Sequence, residues 1–334
     1  MMHFLTLLTL APLCRARNPR IIFSNDDGLG SLNLYEFYHT LNSSGYFDLL
    51  VSAPCDDKSG TASRDTSDPE GDLRTPAQGE CRFNSTHGAP GKRHGHGIKT
   101  DGSEDPYLYW VNGYPATSMR LGIDNFSSDA FSRLGSNLKP ELALTGINYG
   151  SNGDSTASIS GTVGAARYAA KRGIPAIGFS GSFGRHVGWN DPELGGKNSD
   201  ALVVAKTYAG LATSLVLQII KAADSINGTY LPKGTLMNVN FPDATLSSTG
   251  CNDTSKFKWV LAYTKLTNVT VAPDVRQGNC SRIPTEGEVL SKDNQKKCLI
   301  SVSMVNAEDL GVASVKDYTA VLESLKGWGS WACL

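Results

Sequence analysis

The stretch Ile21-Ile22-Phe23-Ser24-Asn25-Asp26-Asp27-Gly28 decides how this chain of 334 residues folds and where its chemistry is expected. An apolar strand runs here directly into two neighbouring carboxylates and a glycine. Side chains alternate along a strand, but the backbone turns where the strand ends, so Asp26 and Asp27 can approach one point. In an open α/β sheet, ligands bind beyond the carboxyl ends of the strands. Two carboxylates there favour a hard cation, although an ordinary Asp-Asp-Gly turn explains the same residues.

Apolar runs alternate with helix-length segments along the chain, which is typical of an α/β fold. The predicted strands cover residues 21–23, 49–53, 107–111, 142–145 and 174–180. Helical periodicity marks residues 32–41, 161–171, 200–223 and 317–326. We therefore predict a Rossmann-like, mostly parallel sheet with helices on both faces.

Two further polar segments follow predicted strands at the same edge of the sheet. Residues 145–153 read Thr-Gly-Ile-Asn-Tyr-Gly-Ser-Asn-Gly, and their glycines let the backbone turn so that Asn148 and Asn152 reach one crevice. Residues 53–63 form a third polar segment after another strand. Three strand ends are therefore expected to converge.

Ser160, Gly161 and Thr162 begin a predicted helix close to these segments. The free N–H groups and the positive dipole end of a helix start favour phosphate. An ordinary N-cap explains Ser160 equally well.

Several features predict a secreted protein. Residues 1–16 read as a signal peptide, whose apolar run at 4–14 is too short to cross a bilayer. N-glycosylation acceptor sites, which require the secretory route, occur at Asn42, Asn84, Asn125, Asn227, Asn252, Asn268 and Asn279.

The cysteines that remain after the signal peptide are even in number, which suits an oxidising compartment. Chain order favours a bond between Cys55 and Cys81. The other four are then left to pair within the tail: Cys251, Cys280, Cys298 and Cys333. Because Cys-x-x-Cys spacing is absent from the sequence, zinc is not indicated. We predict one domain over residues 17–334, with a core at 20–243 and a β-rich, disulfide-bonded extension at 251–334.

The charge balance and the histidines bear on which partners and metal ligands are expected. A net charge of −1 gives no electrostatic basis for binding a nucleic-acid polymer, and no membrane partner is expected. His87, His94 and His96 lie in a Gly-rich segment and are expected to be solvated loop residues rather than metal ligands. For His186, which follows the strand ending at residue 180, a place in the crevice and a place in a surface loop are equally open.

The ordered set of these segments resembles the SurE family of metal-dependent phosphatases and 5′/3′-nucleotidases. The matching blocks are residues 24–28, 53–60, 112–117, 146–152, 160–163 and 238–242. The resemblance implies hydrolysis of phosphate monoesters with release of inorganic phosphate, and nucleoside 5′- or 3′-monophosphates as the leading substrate class.

The resemblance also implies a metal site and a phosphate pocket. The divalent metal, Mg²⁺ or Mn²⁺ with Ca²⁺ as a further candidate, would be held by Asp26, Asp27, Ser59 and Asn148. The phosphate pocket would be lined by Asn25, Gly60, Asn152, Ser160, Gly161 and Thr162. Asp26, Asp27 or the hydroxide on the metal would take the proton of the attacking water. A nucleophilic aspartate is a rival role, but Gly28 stands where that class needs a second Asp.

Departures from the family pattern leave part of the function open. Many members carry a His and a Pro-Gly turn where this chain has Leu-Gly-Ser-Leu at residues 29–32, so substrate preference is open. The segment 65–99 and the cysteine-rich tail differ from those of bacterial members, so the oligomeric contacts of those members cannot be carried over. Whether this chain forms a homodimer is therefore left open. A secreted, glycosylated member is more similar to the fungal-type acid phosphatases. Two alternatives remain: a non-catalytic secreted binding protein, and a metal-dependent phosphatase of polyphosphate or sugar phosphates.

Overall fold

The computed structural model describes residues 18–66, 93–98, 103–135, 139–197, 199–226, 228–245, 249–251, 253–266 and 272–334. Several predictions fall outside these residues: those for the signal peptide, Cys81, His87, Asn84, Asn227, Asn252 and Asn268. The acceptor asparagines inside them, Asn42, Asn125 and Asn279, have exposed side chains.

The sheet is mostly parallel, which confirms the predicted fold class. Its strands are β1 Arg20–Ser24, β2 Asp48–Pro54, β3 His94–Ile98, β4 Glu104–Val111, β5 Leu142–Tyr149, β6 Ala176–Gly181, β7 Thr235–Phe241, β8 Lys258–Leu261 and β9 Leu299–Asn306. Within the described residues they form one nine-stranded sheet in the order β3-β4-β2-β1-β5-β6-β7-β9-β8. Strands β4, β2, β1, β5, β6 and β7 are parallel, while β3 is antiparallel to β4 and β9 is antiparallel to β7.

Helices cover both faces of this sheet, as predicted. They are α1 Leu32–Ser43, α2 Pro115–Leu121, α3 Ser127–Arg133, α4 Gly161–Lys171, α5 Ser199–Ile226, α6 Glu286–Val289 and α7 Val315–Ser324. Alternation along β1 divides the core, because Phe23 packs with α1 and α5 while Ile22 packs with α2, α3 and α4. Burial of the apolar side chains on both faces is the main stabilising term.

The strand order creates a switch point at β1. β1 lies between β2 and β5, and the chain moves outward to β2 on one side before it returns to β5 on the other. Ser24 is paired with Thr145, so the residues that follow both strands share one edge. A crevice of this kind is where open α/β sheets bind ligands.

The C-terminal extension builds onto the same sheet. It contributes β8 and β9, and β9 pairs with β7 of the core. Within the described residues, disulfides join Cys251 to Cys298 and Cys280 to Cys333. The prediction that the four tail cysteines pair among themselves is therefore confirmed.

Helix α5 is long and apolar enough to cross a membrane, with a mean hydropathy of 1.5 over its best window. However, 67% of that window is buried inside the protein, and the core helix of a soluble protein passes the same test. We interpret α5 as a core helix because it packs with α1 against the sheet.

The prediction of solvated loop histidines is wrong for His94 and His96, which lie in β3 at the edge of the sheet. Both rings are half-buried against aromatic side chains. The ring centroids are 5.1 Å apart for His94 and Phe126, and 4.4 Å apart for His96 and Tyr109.

Candidate active site at the carboxyl edge of the sheet

Asp26 is held at the N-terminus of α4. Its carboxylate accepts a hydrogen bond from the backbone N–H of Thr162 at 3.0 Å and another from the Thr162 hydroxyl. Ser160 caps the helix by accepting the N–H of Val163 at 3.1 Å. The approach is close, because a Cβ at Gly161 would lie 2.9 Å from the Asp26 Cβ.

The environment of Asp26 sets its protonation. The side chain is buried, and burial raises the pKa of Asp26 to about 6, although the hydrogen bonds from Thr162 offset part of that rise. The positive end of the α4 dipole also favours the ionised form. The helix start that was predicted to bind phosphate therefore positions a carboxylate, since Thr162 directs both its donors at Asp26. The phosphate-binding roles of Ser160, Gly161 and Thr162 stay predictions.

Asp27 lies at the same edge, fully buried between β5 and the loop after β6. Its Oδ2 atom accepts the N–H of Tyr149 at 3.3 Å, and its Oδ1 atom lies 3.7 Å from Nδ1 of His186. His186 is also 3.9 Å from Oδ2 of Asp57, and its ring packs on Tyr149 at 4.7 Å between centroids. Of the two positions left open for His186, the structure supports the crevice.

Asn148 occupies the end of β5, beside the residue that holds Asp27. Its Nδ2 atom donates to the carbonyl oxygens of Tyr149, at 3.2 Å, and Gly150, at 2.7 Å, which fixes the orientation of the amide. Its Oδ1 atom is buried and accepts no hydrogen bond from the described residues. Leaving such an acceptor unsatisfied costs about 1–3 kcal/mol, so this atom is suited to a ligand.

The loop after β2 brings Ser59 and Gly60 to the crevice rim. The N–H of Lys58 donates to the carbonyl of Asp26 at 2.7 Å, which ties this loop to the end of β1. The Ser59 hydroxyl donates to Oδ1 of Asp57 at 2.7 Å, and both Ser59 and Gly60 are exposed. The loop therefore presents Ser59 next to a carboxylate, with its oxygen open to a further contact.

The two remaining predicted site residues are asparagines held by their surroundings. Asn25 donates from Nδ2 to Gly28 O at 3.0 Å and to the Ser31 hydroxyl at 2.9 Å, so its amino group stabilises the turn after β1. Asn152 donates from Nδ2 to the hydroxyl of Ser180 at 2.8 Å. Both side chains are buried, and their contacts with phosphate stay predictions.

Two asparagines of β7 also support the site, and we did not select them as site residues from the sequence. Asn240 Oδ1 accepts the N–H of Asn152 at 2.7 Å, while Asn238 Nδ2 donates to the Asn152 carbonyl at 2.9 Å. Buried polar residues two positions apart in an apolar strand share one face, which is the signal that could have identified them.

The oxygen donors of this crevice fit a hard divalent cation. Asp26, Asp27 and Oδ1 of Asn148 offer carboxylate and amide oxygens, and Ser59 adds a hydroxyl. Such donors suit Mg²⁺, Mn²⁺ or Ca²⁺. Across the described part of the chain, no three or more His, Cys, Asp and Glu side chains are grouped to hold a metal.

Fold and site together define a class: an α/β protein with acidic and amide side chains at the switch point of a mostly parallel sheet. Within that class, the chain belongs to the SurE family, because the family model described as "Survival protein SurE" matches residues 21–268. That segment contains every predicted site residue.

Curated relatives carry related names. An "Acid phosphatase" of Yarrowia lipolytica is 28% identical over 223 residues, covering 66% of this chain and 56% of the relative. A "5′-nucleotidase SurE" of Anaplasma marginale is 32% identical over 187 residues, covering 56% of this chain and 58% of the relative. Another protein of that name, from Methanocella arvoryzae, is 31% identical over 225 residues, covering 67% of this chain and 66% of the relative. The chain thus spans little more than half the length of the first two.

A solved structure supports the fold. The crystal structure of the SurE protein from Aquifex aeolicus matches with a TM-score of 0.53, covering 91% of this chain and 98% of that chain. The sequences are 20% identical, so this likeness concerns the fold alone.

Proposed function

We propose that the chain is a metal-dependent hydrolase of phosphate monoesters, with nucleoside 5′- or 3′-monophosphates as its substrates. The observation that carries this proposal is the buried Oδ1 atom of Asn148, which accepts no hydrogen bond from the described residues. The next residue, Tyr149, donates its N–H to the carboxylate of Asp27. Family membership and the relatives' names, nucleotidase and acid phosphatase, support the reaction class.

Asp26, Asp27, Asn148 and Ser59 would hold the divalent cation. The chemistry that such a cation supplies is neutralisation of phosphoryl oxygens and a more acidic water for in-line attack. The protein contributes a rigid arrangement, because Thr162 fixes Asp26 and the N–H of Tyr149 fixes Asp27. Fixed groups need no reorganisation when charge develops in the transition state.

Asn152 would bind the phosphoryl group. Its backbone is held on both sides by Asn238 and Asn240, and its amide is oriented by Ser180. An amide fixed in this way positions a substrate without the entropy loss of ordering a mobile side chain.

We also propose that the protein is secreted and N-glycosylated. The exposure of Asn42, Asn125 and Asn279 and the two disulfides of the extension support this location. A shift in electrophoretic mobility after treatment with an N-glycosidase would support it, and recovery of the unmodified chain inside the cells would contradict it.

The function is tested by measuring phosphate release from a 5′-nucleotide, a 3′-nucleotide and an aryl phosphate. Each substrate is incubated with the purified protein, then with EDTA, and then with added Mg²⁺ or Mn²⁺. Release that EDTA stops and metal restores is the expected result, and the three rates rank the substrates. Release that EDTA leaves unchanged would contradict the metal site, and no release from acid to neutral pH would favour a non-catalytic binding protein.

A further inference from the structure

Glu286 is a buried carboxylate that the proposed mechanism does not use. It lies in α6 of the C-terminal extension, beyond residues 21–268 that match the family model, and its exposed fraction is 0%. Its Oε1 atom accepts from Asn238 Nδ2 at 2.8 Å and from the hydroxyl of Ser303. Its Oε2 atom accepts the N–H of Asp154 at 2.7 Å. Burying a carboxylate this completely costs free energy unless hydrogen bonds satisfy it, and these contacts offset that cost.

Two of these hydrogen bonds lead to the phosphate pocket. Asn238, whose Nδ2 atom contacts Glu286, donates from the same atom to the carbonyl of Asn152 at 2.9 Å. Asp154 lies two residues beyond Asn152, and its own carboxylate accepts from the N–H groups of Gly287 at 2.9 Å and Lys265 at 2.8 Å. The segment 152–154 is therefore clamped between β7 of the core and α6 of the extension.

We propose that Glu286 is a positioning residue that fixes Asn152 for binding of the substrate phosphate, an inference that rests on the proposed function. The extension then completes the pocket, because the Glu286 carboxylate holds both Asn238 and the backbone of Asp154 in place. A shift of about 1 Å in a positioned group costs up to about 100-fold in rate, so loss of the clamp has a measurable effect.

The decisive variant is Glu286→Gln, which keeps the volume of the side chain but replaces one acceptor oxygen with a donor. The amide of Asn238 and the N–H of Asp154 are both donors that face Glu286, so either orientation of the substituted glutamine amide places a donor against a donor. Asn294→Ala is the matched control. Asn294 is a buried residue of the same extension that donates to Glu288 O at 2.7 Å and to the Ser291 hydroxyl at 3.1 Å, away from segment 152–154.

Both variants are compared with the wild-type full chain in two assays. The first is steady-state release of phosphate from the best nucleotide substrate, which separates KM from kcat. The second is calorimetric binding of inorganic phosphate in the presence of Mg²⁺. We expect Glu286→Gln to raise KM and the phosphate Kd about ten-fold. Asn294→Ala should lower the unfolding temperature and leave both constants unchanged.

The outcomes separate this inference from the proposed function. A wild type that hydrolyses nucleotides, with a Glu286→Gln variant of unchanged KM and Kd, would overturn the positioning role alone. An equal rise of both constants in Asn294→Ala would also overturn it, since the effect would then be general loosening of the extension. A wild-type protein that neither hydrolyses nucleotides nor binds phosphate would contradict both the positioning role of Glu286 and the proposed function.

A second variant decides the matter if Glu286→Gln does not fold. A Cβ at Gly287 would lie 2.4 Å from Oδ2 of Asp154, so Gly287→Ala displaces the carboxylate that accepts the Gly287 N–H and loosens the same clamp while leaving Glu286 intact. We expect a raised KM and phosphate Kd for Gly287→Ala, and a folded variant with wild-type constants would refute the proposal.

Discussion

Replacing Gly164 by alanine tests whether the loop that carries Ser59 has to lie against α4. A Cβ at Gly164 would lie 2.0 Å from the carbonyl oxygen of Ala62, whereas ordinary contacts begin at 3.4 Å. One backbone must therefore move by about 1.4 Å, the difference 3.4 − 2.0. Helix α4 is packed in the core and its first turn holds Asp26, so we expect the loop to move.

Stability and activity should respond differently to Gly164→Ala. Alanine favours a helix over glycine by about 1 kcal/mol, and overpacking costs about 1–3 kcal/mol, so the net loss is roughly 0–2 kcal/mol. Displacement of Ser59 by about 1 Å should lower kcat/KM by ten-fold or more. The matched control is Gly210→Ala in α5, where a Cβ would meet nothing within 4 Å. That variant should gain about 0.5–1 kcal/mol and keep wild-type kinetics.

Thermal unfolding followed by circular dichroism measures the stabilities, and phosphate release with saturating Mg²⁺ measures the kinetics. Wild-type kcat/KM in a folded Gly164→Ala protein would refute the requirement for this loop position. A loss of stability well above about 3 kcal/mol would show instead that α4, rather than the loop, absorbs the clash.

Asp27→Asn should lower phosphate release at least about 100-fold with little change in unfolding temperature, because the carboxylate is needed for the cation rather than for packing. The exposed control Asp129→Asn should keep wild-type rates. A fully active Asp27→Asn protein would contradict the metal site. Loss of the disulfide between Cys280 and Cys333, which are 53 residues apart, should cost about 4 kcal/mol by chain entropy, and an unchanged midpoint in urea unfolding would refute this. Burial raises the pKa of Glu286 from 4.5 to about 7, so the folded protein binds this proton more tightly than the unfolded chain does. Unfolding free energy should therefore fall between pH 4.5 and pH 7 by roughly 3 kcal/mol more in the wild type than in Glu286→Gln, which keeps the raised pKa of Asp26, and parallel pH profiles in urea unfolding would contradict the assignment.

Local pattern was enough to predict the elements that carry the site. The bounds of α4 match the prediction because Ser160 caps the helix and four alanines follow within it. The position of Asp26 and Asp27 at the end of a strand followed from the apolar run of β1 and from the two carboxylates after it. These signals are local, so they can be recognised in the sequence without knowledge of the tertiary contacts.

Strand β3 was missed because its sequence, His-Gly-His-Gly-Ile, has no apolar alternation. A Cβ at Gly95 would lie 3.0 Å from the ring of Trp110, and one at Gly97 would lie 3.0 Å from Leu108. The small residues are therefore required by side chains of β4, and nothing in the local pattern of β3 records that requirement.

The sequence predicted which residues could be donors in the site, but it did not predict what holds them. Thr162 was predicted to contact phosphate, and what the pattern did not predict is that its N–H and hydroxyl donate to Asp26 and satisfy that buried carboxylate. Glu286 had no signal at all, since an acidic residue in the first turn of a helix is normally explained by the helix dipole. Its role follows only from the contact of α6 with β7, which brings an extension outside the family segment against the residues that fix Asn152. In this chain long-range hydrogen bonds hold the side chains of the site in place, so a residue far from the motifs, such as Glu286, can help to order the pocket.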